Sequence, residues 1–510
     1  MDYTGKKALV LGLGESGLAM ARWLAHHKAF VRVADTRQSP PNSAVWEEEV
    51  QKAGLKTEFI GGPFTEDLLT GMDFVAISPG LVPHTDLGAI VPKARQMSIP
   101  LVSEIELFAQ ALADLKKSRT YRPKIIAITG TNGKTTVTSL TGAMCAQTGK
   151  TVKVAGNISP AVLDVLFDAL RTDSLPEIWV LELSSFQLWS TGSLNADVAV
   201  VLNISQDHLD WHESMDAYIE AKKRIFGPET IRVLNRDDPV VHRMQTGQSG
   251  TAAKNAPLVV TFGLDRPSEP GDFGEIHDRG VNWLCTLRET ELDSGPRKKK
   301  EPPQTTRDIQ LLMPSGALLV KGRHNVANAL AAIALCRAIG LSMAPLLHGA
   351  RKYRGEPHRV EPVMQVSGVL WIDDSKATNV GATIAAIEGL GQDGEKGEKH
   401  LVLIAGGDGK DQDFSALRAP VSRFVRSVFL IGKDARLLEE ALGPGDVPRI
   451  VCDSLESAVD SAARIAREGD MVLLSPACAS WDMFRNYVHR SEVFVSAVKE
   501  IAAARGEVVL

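Results

Sequence analysis

Thr129-Gly130-Thr131-Asn132-Gly133-Lys134-Thr135-Thr136 follows the apolar run Ile125 to Ile128 and opens a helical pattern that begins near Lys134. Glycines in such a loop let the backbone wrap closely around phosphate, exposed N–H groups and the helix N-terminus attract anions, and Lys134 can reach the β and γ phosphates of a nucleotide. Strand, phosphate loop and helix in that order predict a P-loop ATPase-like domain with a mainly parallel sheet. Gly130, Thr131, Asn132, Gly133, Lys134, Thr135 and Thr136 are its ATP-binding candidates, and Thr135 is also a candidate magnesium ligand. The general pattern G-x-x-x-x-G-K-[ST] would put glycine where this chain has Ile128, so the loop is a variant of it.

On both sides of this loop, apolar runs of strand length alternate with helical patterns, which predicts α/β layering. Upstream, Lys7 to Leu11 reads as a strand, Gly12 to Gly17 as a tight turn, Leu18 to His27 as a helix and Phe30 to Ala34 as the next strand. Downstream, strands are expected at Trp179 to Leu183, Val198 to Asn203, Val369 to Asp373, Leu401 to Ala405, Val428 to Ile431 and Met471 to Leu474. With 510 residues and domains of roughly 100 to 200 residues, three domains are expected. They are a Rossmann-like domain over 1–121, the central ATP-binding domain over 122–322 and a second Rossmann-like domain over 323–510.

A composition of 44% hydrophobic and 23% charged residues is that of a globular protein with sizeable cores. The formal charge of -5 offers no global attraction to a polyphosphate, so nucleic acid is not an expected partner. Five scattered cysteines without a CxxC pair argue against a disulfide framework or a thiolate zinc site. Neither a signal-peptide pattern nor the ~20 apolar residues of a membrane span is apparent, so a cytoplasmic location with no membrane partner is expected. Arg288 to Asp308, with Arg297-Lys298-Lys299-Lys300-Glu301-Pro302-Pro303 at its centre, reads as an exposed loop, and Gly391 to His400 as a second polar insert.

Gly12-Leu13-Gly14-Glu15-Ser16-Gly17 fits G-x-G-x-x-G, follows a strand and has Asp35 at the end of the next strand. By itself this indicates a dinucleotide site, but the geometry accepts any diphosphate at a helix N-terminus, and a UDP-sugar offers one as well as NAD does. Glu182 and His208 each follow an apolar strand and so lie at the sheet edge where α/β proteins bind ligands. Carboxylate oxygens beside phosphates suit magnesium, and the pair supplies too few ligands for a closed zinc site. Lys222 falls in the amphipathic stretch Ala217 to Phe226, where adjacent lysines are usually solvated.

The variant loop T-G-T-N-G-K-[ST] resembles that of the Mur ligases and the related folylpolyglutamate synthetases, and the resemblance runs from about Lys6 to Phe494. Asp373-Asp374-Ser375-Lys376-Ala377-Thr378-Asn379 contains D-S-K-A-T-N, the string of the D-glutamate-adding branch of the Mur ligase family. The resemblance implies an ATP-dependent ligase acting as a monomer on UDP-N-acetylmuramoyl-L-alanine and D-glutamate through an acyl phosphate. It assigns Lys134, His208, Lys222 and Glu182 to catalysis, with two Mg2+ ions on Thr135, Glu182, His208 and an N-carbamylated Lys222. Asn325, Asn328, Arg359 and Asp374 fall with ATP, and Gly14, Glu15, Ser16, Thr36, Arg37, Ser78, Asn157 and Ser184 with the UDP-sugar. Lys376, Thr378, Lys410, Ser480 and Tyr487 fall with D-glutamate, although the family often has phenylalanine at the position of Tyr487. A dicarboxylate needs cations and hydroxyl donors, which this last set supplies. Three rivals are weaker. A dehydrogenase leaves the phosphate loop idle, a folylpolyglutamate synthetase has no use for a uridine domain or for D-S-K-A-T-N, and a nucleotide switch needs only the loop.

Overall fold

The computed structural model describes residues 2–245, 258–291, 305–391 and 399–507. Three sheets carry the chain. The first joins β1 (Lys7–Leu11), β2 (Phe30–Asp35), β3 (Thr57–Gly61), β4 (Phe74–Ile77) and β5 (Leu101–Val102) in the all-parallel order β3-β2-β1-β4-β5.

The second sheet contains β6 (Lys124–Thr129), β7 (Val152–Gly156), β8 (Ile178–Glu182), β9 (Val198–Val201), β10 (Ile231–Asn235), β11 (Val259–Phe262), β12 (Phe273–Asp278), β13 (Val281–Glu291) and β14 (Thr305–Pro314). Its order is β14-β13-β12-β11-β10-β9-β6-β8-β7, parallel except for the β12-β13-β14 meander at one end. β8 and β9 are buried along their whole lengths, as expected of strands covered by helices on both faces.

The third sheet runs β15-β16-β20-β17-β18-β19, with β15 (Glu361–Val366), β16 (Val369–Asp373), β17 (Leu401–Gly406), β18 (Val425–Ile431), β19 (Arg449–Val451) and β20 (Met471–Leu474). Only β15 is antiparallel to its neighbour. The mixed α/β architecture read from the sequence is the observed one.

Two expectations are corrected. The flanks of the segment read as an exposed loop, 288–291 and 305–308, are paired strand residues, with Arg288 opposite Asp308 and Glu289 opposite Arg307. The charged run at 297–303 lies outside the described residues, as does most of the second insert, whose first residue, Gly391, ends the helix Val380–Gly391. The helices Arg323–Ala338 and Met343–Lys352, expected to begin the third domain, instead pack on the central sheet. Ala329 to Cys336 and Leu346 share a core with Ile128, Val180 and Val200 of the sheet and Leu140 of the phosphate-loop helix. All five cysteines are free and buried, as expected of reduced core residues.

The opposite face of the central sheet shares its core with the first domain. Leu24 and Phe108 of that domain cluster with Trp179, Leu181 and Val201. Trp179 sits edge-on to Phe108 with ring centroids 5.0 Å apart, and its indole N–H donates to the Tyr121 hydroxyl at 3.0 Å. Trp179→Ala is expected to cost about 3–5 kcal/mol, as for other buried aromatic truncations. A urea melt should show a lowered midpoint, and an unchanged midpoint would remove Trp179 from the joint between the two domains.

Candidate active site

β6 ends at Thr129, and the chain then turns through Gly130 to Gly133 into the helix Lys134–Ala146. Gly133 has φ +81, and a Cβ there would lie 2.8 Å from the Asn328 side-chain oxygen, so a side chain is excluded on both counts. Asn203, just after β9, accepts from the Asn132 amide at 2.8 Å and donates to the Asn132 carbonyl at 3.1 Å, which fixes the loop against the sheet. The Lys134 ammonium donates to the carbonyls of Gly130 (2.9 Å) and Thr131 (2.8 Å).

Lys222 converges on the same loop. It lies in the helix Met215–Lys223, is 1% exposed, and donates to the Gly130 carbonyl at 2.9 Å. The expectation of a solvated helix lysine is therefore corrected, because the face of this helix that carries Lys222 is turned onto the phosphate loop. Burial, followed by repulsion from Lys134, drives its pKa well below the ordinary lysine value. Burial also lowers Lys134, against the attraction of Glu182 and Asp207.

Glu182, the last residue of β8, is 2% exposed. Its Oε1 accepts from Asn157 at 2.8 Å, and its Oε2 is buried with no hydrogen-bonding partner. His208 has φ +55 at the start of the short helix Leu209–His212 and stacks edge-on against Phe186. Burial lowers its pKa, the neighbouring Asp207 pulls it up, and Lys134 and Lys222 push it down. An orphaned carboxylate oxygen, a neutral imidazole and a threonine hydroxyl are a donor set that fits magnesium. Lys222 fits only if modified, since an amine that donates to a carbonyl presents no anionic oxygen.

The third domain reaches this centre from above. Arg359 donates to the Thr135 hydroxyl at 2.8 Å. A cavity of about 130 Å³ between the domains is lined by Asn132, Asn325, Asn328, Arg359, Asp374 and Lys376, among others. Asn328 donates to Asn325 at 3.1 Å, and Asn325 in turn donates to the Lys321 carbonyl at 2.7 Å. Thr136 is buried in the first turn of the loop helix. Asp374 accepts from the Ser475 hydroxyl at 2.7 Å, and burial pushes its pKa up to about 7. The Lys376 ammonium lies 3.7 Å from the centre of the Tyr487 ring, so the ring face holds the cation whether or not a hydroxyl is attached. Thr378 is half-buried, Ser480 is buried and Lys410 is exposed.

At the other glycine loop, Gly17 permits a turn in which an added Cβ would fall 1.8 Å from the Gly12 carbonyl oxygen. Gly14 precedes the helix Glu15–His26, in which Ser16 is half-buried. Glu15 accepts from Ser159 of the central domain at 2.6 Å, and Ser78 donates to the Gly12 carbonyl at 3.0 Å. Thr36 is exposed beside them. Two further residues make contacts within the protein. Arg37 grips Asp35 through two N–H bonds of 2.8 Å, and Ser184 caps the helix Ser185–Trp189 by accepting from the Gln187 amide at 3.2 Å.

Sequence reasoning gave no role to Asn203 or to the fully buried Arg490. Arg490 donates to the carbonyls of Ser375 (2.9 Å) and Cys478 (3.1 Å), tying together the two segments that carry Lys376 and Ser480. An arginine inside an apolar helical pattern was the available signal. His358, Glu361 and Asp373 bring possible ligand atoms within 4.8 Å, but His358 already pairs with Asp373 at 2.9 Å and its amide donates to Glu361 at 2.8 Å.

The Mur ligase MurD-like N-terminal domain matches residues 6–103, the Mur ligase middle domain 128–336 and the Mur ligase glutamate ligase domain 358–478. The chain is 54% identical over 513 aligned residues to the UDP-N-acetylmuramoylalanine--D-glutamate ligases of Burkholderia pseudomallei and Burkholderia thailandensis, with 99% of each chain covered. Among solved structures, the UDP-N-acetylmuramate-alanine ligase of Thermotoga maritima shares the fold, with TM-score 0.54 at 18% identity over 97% of this chain and 99% of that one. The E. coli FolC structure with ADP does so with TM-score 0.51 at 20% identity over 79% of this chain and 93% of that one.

Burial works against the Asp35 carboxylate, but Arg37 and the backbone amides of Arg37 and Leu13 outweigh it and hold its pKa down at about 2. A depressed carboxylate pKa contributes stability above the unfolded-state value, and that contribution fades as pH falls through the folded-state value. Asp35→Asn should therefore melt below the parent protein at neutral pH. The gap should close as pH falls from about 4 towards 2, and a gap independent of pH would show that Asp35 is not the ionised anchor of this loop.

Proposed function

We propose that this chain, which belongs to the Mur ligase family, joins D-glutamate to UDP-N-acetylmuramoyl-L-alanine with cleavage of ATP, in the synthesis of peptidoglycan precursors. The observation that carries the reading is the shared cavity, in which Asn132 of the phosphate loop faces Asp374 and Lys376 of the D-S-K-A-T-N string. A nucleotide site and a cationic site for an acidic amino acid thus meet in one space.

In the proposed reaction the L-alanyl carboxylate attacks the γ-phosphate, giving ADP and an acyl phosphate. The D-glutamate amine then adds to the acyl carbon and inorganic phosphate leaves. Both steps concentrate negative charge, and Lys134 and Arg359 are the cations placed to stabilise it, each such group contributing roughly 10²- to 10³-fold. Gly130 to Thr136 hold the phosphates, while Asn325 and Asn328 take the adenosine side. Gly14, Glu15, Ser16, Thr36, Arg37 and Ser78 receive the UDP group, and Asn157 and Ser184 lie on the muramoyl side. Lys376, Thr378, Lys410, Ser480 and Tyr487 receive D-glutamate, with Lys376 on a carboxylate.

Magnesium ions, held by Thr135, Glu182, His208 and a carbamylated Lys222, would supply charge neutralisation on the phosphates. Burial and Lys134 favour the uncharged amine of Lys222, whose nitrogen lone pair can attack CO2 with loss of one proton, and the carbamate so formed replaces a neutral amine with an anionic oxygen donor. The enzyme acts as a monomer in the cytoplasm in this reading. Among the described residues no helix is long and apolar enough to cross a membrane.

Phosphate release from ATP is expected to require both UDP-N-acetylmuramoyl-L-alanine and D-glutamate, and release without either would end the reading. Loss of a charge-assisted hydrogen bond in Lys376→Ala should raise the D-glutamate KM about 10- to 150-fold while leaving that for ATP nearly unchanged. Mass measurement of the native enzyme should find one added carboxylate on Lys222, and an unmodified lysine in the active, magnesium-loaded enzyme would refute the ligand role given to it.

A further inference from the structure

Asn379 closes the D-S-K-A-T-N string and is 6% exposed. Its side-chain amide forms a reciprocal pair with Asn132 of the phosphate loop. Asn379 donates to Asn132 Oδ1 at 3.1 Å, and Asn132 donates back to Asn379 Oδ1 at 3.3 Å. The same Asn379 nitrogen also reaches Asp207 Oδ2 at 3.2 Å, and the other oxygen of Asp207 accepts from the His208 amide at 2.9 Å. Asn379 Oδ1 further accepts from the Ala382 amide at 2.9 Å, which anchors the side chain to the start of the helix Val380–Gly391.

The approach is close. A Cβ on Gly381 would sit 3.1 Å from Asn132 Nδ2 and 3.1 Å from Ser205 Oγ, so the backbone of the third domain comes close to the loop here. Two amides that satisfy each other do so in only one relative placement of their backbones. Asn132 has no other side-chain hydrogen bond among the described contacts, so its orientation is set from the third domain.

We infer that Asn379 is a positioning residue for phosphoryl transfer: it fixes Asn132 in the phosphate loop and Asp207 beside His208, so that acyl-phosphate formation depends on the third domain being seated. The inference rests on the ligase reading above and deepens it. Lys376 and Thr378 lie three and one residues before Asn379, so the segment that receives the amino acid also sets the phosphate loop.

The test uses the full-length enzyme with hydroxylamine trapping of the acyl phosphate in the absence of D-glutamate, alongside steady-state ligation. Asn379→Ala should lower both trapping and ligation turnover by about 10- to 100-fold, the loss expected for one or two buried hydrogen bonds that hold a reacting group. The D-glutamate KM should move by less than about threefold, because neither amide is among the groups assigned to the amino acid. Asn132→Ala should show the same loss, and the double variant should be no worse than the poorer single, as for two residues acting as one unit.

Asn379→Asp has the same size, cannot donate to Asn132 and sets a carboxylate against Asp207, so it should lose at least as much turnover with the fold retained. It serves if the alanine variant does not fold. Normal trapping in either Asn379 variant, a loss confined to the D-glutamate KM, or losses that multiply in the double variant would each overturn the inference. Failure of the unsubstituted enzyme to ligate would instead overturn the ligase reading.

Discussion

Two amino groups that share one carbonyl set the terms for the rest of the site. Lys134 and Lys222 both donate to the Gly130 oxygen at 2.9 Å, one from the loop's own helix and one from a helix nearly a hundred residues later. Two nitrogens that share one acceptor are at most about 6 Å apart, and two full charges within that distance would repel by roughly 3 kcal/mol or more at an effective dielectric near 20, to which burial adds a penalty. Both effects favour loss of charge at one of the two nitrogens. Lys222 is 1% exposed and its pKa is driven down by burial and by Lys134, whereas burial lowers Lys134 against the pull of Glu182 and Asp207. Glu182 and Asp207 then offset Lys134, while the orphaned Glu182 Oε2 keeps one acceptor free for a further cation.

What the sequence discloses and what it conceals follow from how far each signal reaches along the chain. The phosphate loop was legible because strand, glycines, lysine and helix lie within about a dozen residues, and the same holds for Glu182 at the end of a buried strand. Lys222 was not legible from its pattern, since a helix with two adjacent lysines looks solvated until the sheet edge that receives it is in place. Arg490 was missed for the same reason, because the carbonyls it holds, at Ser375 and Cys478, belong to distant segments. The pairing of β13 with β14 was hidden by composition, for the strand ends at 288–291 and 305–308, rich in Thr, Arg and Glu, show no hydrophobic alternation. The helices 323–352 are strongly apolar, yet a pattern that says they are buried does not say against which sheet.

The three domains are joined in two unlike ways. Between the first and the central domain the joint is a single apolar core, in which Phe108 and Leu24 pack with Trp179 and Leu181, supplemented by the Arg22 to Asp164 ion pair at 2.8 Å. Glu104 lies within that joint, fully buried, and its pKa is pushed up to about 7 by burial against the pull of Ser16 and the Leu163 amide. A carboxyl in that environment is tolerated because proton uptake is cheap there.

The third domain has two apolar cores of its own, on the two faces of its sheet, and its helix Val380–Gly391 also lies against the start of the helix Arg323–Ala338, where Gly389 approaches Gly322 and His324. Near the site it meets the central domain through polar groups, Arg359 on Thr135 and Asn379 on Asn132 and Asp207. Separating an apolar joint exposes hydrocarbon to water, whereas separating these amides and the guanidinium exchanges each hydrogen bond for one to water, at a net cost of about 0.5–1.5 kcal/mol for a neutral bond and about 1.5–3 kcal/mol for one to a charged group. Domain movement is therefore easiest at the third domain. In the proposed function that is also the domain that would open to admit nucleotide and amino acid and close to keep water from a labile acyl phosphate. Because the seating contacts fall on Thr135, Asn132 and the neighbour of His208, the closed state is recognised by residues to which the proposed function gives the transfer, and a separated third domain leaves the phosphate loop without part of its support.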